Sequence, residues 1–282
     1  MRLAPTPLSG SRPPAALQPP EIALAIALTV LALLAALLPA TALPAHYHDF
    51  ADQRAWLDAA FALPHACDVL TNLPFALLGA FMLWRLSSQR KQLSKTEYSL
   101  AALTGVGLLA TALGSSIYHL QPADAGLALD RAGMGLAFAG VLGLAAATRI
   151  SDRAGTALAV AVALLAPLAA LWDWRTGNMT PWAVLQGGGA ALLLVLALRP
   201  ARAGALLITL WPVLLAYAIA KALELADAPV LALTQGLISG HSAKHLVAAL
   251  AALPVALAFH RMARRPSAGT MRAAPLQKKV HA

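Results

Sequence analysis

The chain is short of charge. Only 12% of its 282 residues are Asp, Glu, Lys or Arg, while 59% are hydrophobic, and a soluble domain carries about 25% charged residues. That shortage excludes an ordinary soluble globular domain. Cysteine is almost missing as well: the single Cys67 rules out an internal disulfide and any metal site built from cysteines. A third absence is the every-second-residue alternation of a membrane β-barrel, because the apolar runs here are long and continuous. Only helices and closed barrels satisfy their backbone groups in lipid, so the expected fold class is an all-α membrane protein, a polytopic helical bundle.

Apolar stretches of about 17 to 25 residues mark eight candidate spans, near 22–43, 66–86, 98–119, 127–148, 154–172, 181–198, 203–223 and 236–259. The net charge of +9 could point to a polyanion, but the positions of the charges argue otherwise. With both termini inside, 16 of the 21 basic residues fall in cytoplasmic segments and only Arg54 and Arg175 in outer loops; Arg131, Lys221 and Lys244 lie within or beside spans. This is the positive-inside pattern, so the excess charge orients the chain and no nucleic-acid partner is expected. A cleaved signal peptide is the alternative reading of the first span, since Ala40-Thr41-Ala42 follows it. Its apolar run exceeds the about 7 to 15 residues of a typical signal core, which favours a retained helix.

Residues 1–20, rich in Pro and Ser, read as a disordered tail; 21–265 as one transmembrane bundle; and 266–282 as a basic tail. The one long connection, Pro44 to His65, carries Asp49, Asp52 and Asp58 with three histidines and suits a lid or a short interfacial helix.

Against this apolar background the ionisable residues inside spans stand out, because inserting each costs kilocalories. His241 lies 20 residues before Arg261, about one bilayer core of roughly 30 Å at about 1.5 Å per residue, so it belongs near the outer end of the last span. His119 closes the outward-running third span, and Asp130 opens the inward-running fourth. His241 and His245, four residues apart, share a helix face, and Ser115 and His119 repeat that interval. Imidazoles so placed reach a common ion at about 2.0 to 2.1 Å, and three histidines with an open fourth position suit catalytic zinc. Plainer readings stay open at each position: an interfacial histidine at 119, a packing hydroxyl at Ser115 or Ser116, pairing of Asp130 with Arg131 or Lys244, and a helix-end ion pair between Lys221 and Glu224.

The runs GSSIYHLQPADAGLALDR (114–131) and SGHSAKHL (239–246) resemble the paired signature of the CREST superfamily, which comprises alkaline ceramidases, progestin and adipoQ receptors, and Per1-type lipid remodelling proteins. The Ser-x3-His element, the Asp eleven residues later and the terminal His-x3-His fall on Ser115, His119, Asp130, His241 and His245. DVLTNLPFALLG (68–79) is similar to the opening segment of the ceramidase-like branch, with Asn72 at its Ser/Thr-Asn step. The resemblance covers about residues 46–260, a seven-helix core to which the first span is an addition.

What the resemblance implies is a zinc-dependent hydrolase that cleaves the amide of a ceramide-like lipid to a sphingoid base and a fatty acid. His119, His241 and His245 would hold Zn2+, with Asp130 moving the proton and Ser115 donating to the oxyanion. The calcium site of eukaryotic alkaline ceramidases is not carried over, since HDFADQRAW does not match its acidic cluster; Asp49, Asp52 and Asp68 remain the nearest substitutes. The rival reading is a receptor-like member with structural zinc, and a hydrolase of another lipid ester or amide is a variant of the first. A transporter is disfavoured because no polar trail crosses to the cytoplasmic side. The Ala/Leu-rich composition and short loops suit a bacterial inner membrane, with the site toward the extracytoplasmic face.

Overall fold

Proline and hydroxyl residues set where the helices begin. In the computed structural model, which describes residues 16–57 and 61–263, α1 (Pro19–Leu37), α3 (Leu73–Ser87), α7 (Thr180–Ala197) and α8 (Trp211–Leu225) each carry Pro in their first two positions, where its missing N–H costs nothing. Ser94 starts α4 (Lys95–Leu120): its Oγ accepts from Glu97 N at 3.1 Å while the Glu97 carboxylate accepts from Ser94 N, a reciprocal cap. Ser151 caps α6 (Asp152–Thr176) and Ser239 caps α10 (Gly240–Leu250) by accepting from backbone N–H three residues on. The remaining helices are α2 (Ala66–Leu70), α5 (Asp124–Arg149), α9 (Asp227–Leu233) and α11 (Leu253–Ala263).

No strand occurs among the described residues, so the fold is all-helical, and seven helices are long and apolar enough to cross a membrane: α1, α2 with α3, α4, α5, α6, α7, and Gly240–Phe259. Large apolar side chains such as Leu77, Trp84, Leu113, Leu168 and Leu215 are exposed on their outer faces, as lipid requires. The expected span near 203–223 differs. Helix begins only at Trp211 and runs 15 residues, about 22 Å at about 1.5 Å per residue against a core of about 30 Å. Leu206, Ile208 and Leu210 are buried in a non-helical stretch ahead of it. Side chains of other helices satisfy that backbone: Leu206 N donates to Glu97 Oε1 at 2.6 Å, and Arg149 Nη2 donates to Ile208 O at 2.6 Å. The stretch lies at the end of the bundle where α4 starts and α5 ends, and the protein buries its backbone there.

The middle of the bundle is the α4–α5–α6 sheaf, whose mutual contacts are the most extensive in the molecule. Small residues make the approach possible. A Cβ on Gly107 would overlap the backbone of Leu136 and Ala137, so α4 and α5 touch main chain to main chain. A buried ion pair, Arg131 on α5 with Asp173 on α6, ties the next interface, and the Arg131 guanidinium also lies 5.4 Å from the Trp182 ring centre. α1 packs along α7, where Leu31 lies against Gly188, and is tied further through Glu21 to Arg153 and Ser151 and, beyond its end, through Thr41 to Thr180. The basic residues Lys95, Arg149, Arg153 and Arg202 gather at one end of the bundle, because α4 and α6 start there and α5 ends there. The last transmembrane segment is broken near Ala251 into α10 and α11, with Pro254 in the first turn of α11.

Of the expected tails, residues 1–15 and 264–282 lie outside the described residues, as does Asp58; residues 19 and 20 already belong to α1.

Gly107→Val is expected to destabilise the bundle by about 1 to 3 kcal/mol through overpacking. Thermal unfolding of the purified protein in detergent checks this, and an unchanged midpoint would contradict the backbone contact.

Candidate metal centre

Three histidines from two distant helices meet at the end opposite the basic residues. His119 comes from the last turn of α4, and His241 and His245 from the first turns of α10. They are 0%, 7% and 4% exposed. Their ring centres form a nearly equilateral triangle with sides of 4.8, 5.0 and 4.9 Å, and one nitrogen from each lies within 4.8 Å of the others. His119 Nε2 and His241 Nε2 are 3.2 Å apart. Ligands on a tetrahedral ion with bonds of about 2.0 to 2.1 Å stand about 3.3 to 3.4 Å from each other, so this pair already has the right separation. Among the described residues this is the one group of three His, Cys, Asp or Glu side chains that converges so tightly.

The surroundings fix which nitrogen of His245 faces inward. Thr71 Oγ1 donates to Cys67 O at 2.7 Å and lies 3.1 Å from His245 Nδ1. With its single proton committed to the carbonyl, the hydroxyl accepts from Nδ1–H, which leaves the Nε2 lone pair free for an ion. Around α10, Asp227 Oδ1 accepts from His241 N at 2.8 Å and its Oδ2 from Ala51 N at 2.9 Å, while Asp68 Oδ1 accepts from Ser242 Oγ at 2.5 Å. The Asp227 carboxylate thus binds the positive end of a helix dipole and clamps the 44–57 loop to it. Gly240 permits this approach, since a Cβ there would overlap the carbonyl oxygens of Leu223 and Ala226.

The loop closes the centre from above. Phe50, 5% exposed, lies 4.7 Å from the His119 ring centre and 4.4 Å from that of His241. The expected lid is therefore present as a turn-rich segment, and no helix forms in it among the described residues. Arg54 holds it at its far end, pairing with Asp52 at 2.6 Å and keeping that carboxyl below the usual carboxylate range.

Ser115 is buried one turn before His119, on the same face of α4, and the Asp130 side chain of α5 lies close to it. Gly114 makes that contact possible, since a Cβ there would press on Leu129 O and Asp130 Cα. Asp130 does not pair with Arg131 or Lys244: the first is bound to Asp173, the second to Glu224 at 2.9 Å. Glu224 also takes Lys221 at 2.6 Å, so the suspected helix-end pair is a three-member link between α8 and α10. The acidic residues Asp49, Asp52 and Asp68 are dispersed, engaged with His46, Arg54 and Ser242 respectively.

The fold and the site together define a helical membrane protein with a buried three-histidine centre able to hold a metal ion. Comparison with known proteins finds no matching family model, no matching curated protein and no matching solved structure.

His119→Ala, His241→Ala and His245→Ala should each lose the metal that copurifies with the parent protein, measured by elemental analysis after detergent purification. Thr71→Val should keep the ion but weaken its affinity by about 10- to 100-fold in competition with a chelating dye.

Proposed function

We propose that the chain is a zinc-dependent membrane hydrolase of the ceramidase-like CREST type, which cleaves the amide bond of a ceramide-like lipid. The observation that carries this reading is the convergence of His119, His241 and His245 beneath Phe50, with Ser115 one helical turn away on α4 and Asp130 beside it on α5. An all-nitrogen donor set with neutral imidazoles and no thiolate or carboxylate suits zinc with a position left for substrate. The bound ion would supply Lewis acidity and an activated water near neutral pH.

The residues of the chain do the rest. Asp130 accepts the proton released as water adds to the amide carbonyl, then returns it to the nitrogen as the carbon–nitrogen bond breaks. The Ser115 hydroxyl, one turn from His119 on α4, donates to the developing oxyanion. Phe50 shields the reacting atoms from bulk water, and the membrane-facing bundle receives the acyl chain. Zinc, lipid amide and a site at one membrane face form a consistent set. The 16 to 2 division of basic residues supports an extracytoplasmic position for that face, and the composition suits a bacterial inner membrane.

Purified protein incubated with fluorescent ceramides of several acyl lengths should release fatty acid, and a strong chelator should stop it. Asp130→Asn and Ser115→Ala should each slow release by about 100-fold or more while retaining the metal. Absence of chelator-sensitive release at every length, with the metal in place, would refute the hydrolase and favour a receptor-like protein with structural zinc.

A further inference from the structure

At the end of the bundle opposite the histidines, α4 and α6 both start, and a groove runs between their outer faces. Its volume is about 340 Å³, in the range of small-molecule sites, about 300 to 1,000 Å³. Lys95, Ser99 and Leu103 recur every four residues along the α4 wall, and Thr156, Val160 and Ala163 follow one face of α6. Behind them lies α5, where a Cβ on Gly143 would overlap Leu100 of one wall and Ala159 of the other. From Lys95 to Leu103 is about 12 Å at about 1.5 Å per residue, so the groove reaches from the helix ends into the apolar zone.

Polar atoms gather at its outer end. Lys95 is exposed, and neither its ammonium nor the hydroxyls of Thr96 and Ser99 have a hydrogen-bond or ion-pair partner among the described residues. The carboxylates nearest in the chain are taken: Glu97 turns inward to Leu206 N and Ser94 N, and Asp152 pairs with Arg202 at 2.5 Å. Lys95 is the one charged residue in the lining. Further in, the walls are apolar, and Val160 is 53% exposed on the lipid-facing side.

We infer that this groove holds one anionic phospholipid, with its phosphate at Lys95, Thr96 and Ser99 and an acyl chain between α4 and α6. An ammonium and two hydroxyls are donors that phosphate oxygens accept. The uncompensated positive charge selects a net negative headgroup over a zwitterionic one, whose cation would meet Lys95 and no carboxylate in the lining. An apolar helix of another protein would bury Lys95 and both hydroxyls without acceptors, which is costly. This site is independent of the hydrolase reading and needs no metal.

The test uses the full chain in neutral detergent, with bound lipids counted by native mass spectrometry during titration. Phosphatidylglycerol is compared with phosphatidylcholine of the same acyl chains. One phosphatidylglycerol should bind about fivefold more tightly, the effect of one lysine on an anionic headgroup. Lys95→Gln should abolish that preference, whereas Lys91→Gln, an equal loss of charge outside the groove, should keep it. Ser99→Trp fills the groove while Lys95 stays in place, and it should abolish the preference too. All three positions are exposed, so the fold tolerates these changes. Equal affinities in the parent protein, a preference that survives Lys95→Gln or Ser99→Trp, or an equal loss in Lys91→Gln overturns the inference.

Discussion

Three imidazoles held together away from water are the constraint on which the rest of this structure turns. Nε2 of His119 and Nε2 of His241 face each other at 3.2 Å, and His119 Nδ1 has no hydrogen-bond partner. Buried nitrogens with converging lone pairs repel unless a proton or a cation lies between them. Keeping them there requires a framework stiff enough to resist that repulsion. The α4–α5 contact supplies it for His119, because main chain packs on main chain at Gly107 and Gly114.

His241 and His245 depend on a different device. They ride on α10, which is only 11 residues long and could not keep its own position in isolation. Three side chains fix its first turns: Asp227 on the His241 amide, Asp68 on the Ser242 hydroxyl, and Thr71 on the His245 ring. A fourth contact, Lys244 to Glu224, fastens the helix to α8 on its opposite side. Asp227 and Asp68 meet α10 at its positive end, where their carboxylates favour the helix as well as the site. The same Asp227 holds Ala51 and therefore Phe50, so the cover over the histidines and the helix that carries two of them share one anchor.

Much of the candidate centre was legible in the chain because periodicity and cost make it so. A His-x3-His pair in an apolar run must share a helix face, and counting residues from the basic clusters put His119, His241 and Asp130 at one membrane end. Thr71, Asp227 and Phe50 were not legible as parts of the centre. Each is unremarkable in its local sequence, and its partner lies on an element 174, 14 or 69 residues away, as the Thr71–His245, Asp227–His241 and Phe50–His119 contacts show. The ion pairs show the same limit. Arg131 follows Asp130 directly, yet its partner is Asp173, because neighbours one residue apart on a helix point in different directions. The span expected near 203–223 is only partly helical for a related reason: Leu206, Ile208 and Leu210 are apolar enough for a membrane helix, but Pro212 and the reach of Glu97 and Arg149 give their backbone another set of partners.

What the sequence by itself determined is the solvent and the class of fold: a chain this apolar and this poor in charge must satisfy its backbone internally, and continuous apolar runs do so as helices. It also placed the costly side chains along each helix, since rise per residue and helical repeat are properties of the backbone alone. What only the tertiary structure decided is who meets whom. Whether three rings close on a common point, which nitrogen turns inward, and which carboxylate answers which cation depend on separations of a few ångströms between elements far apart in the chain, and those separations come from how closely small residues allow the helices to approach.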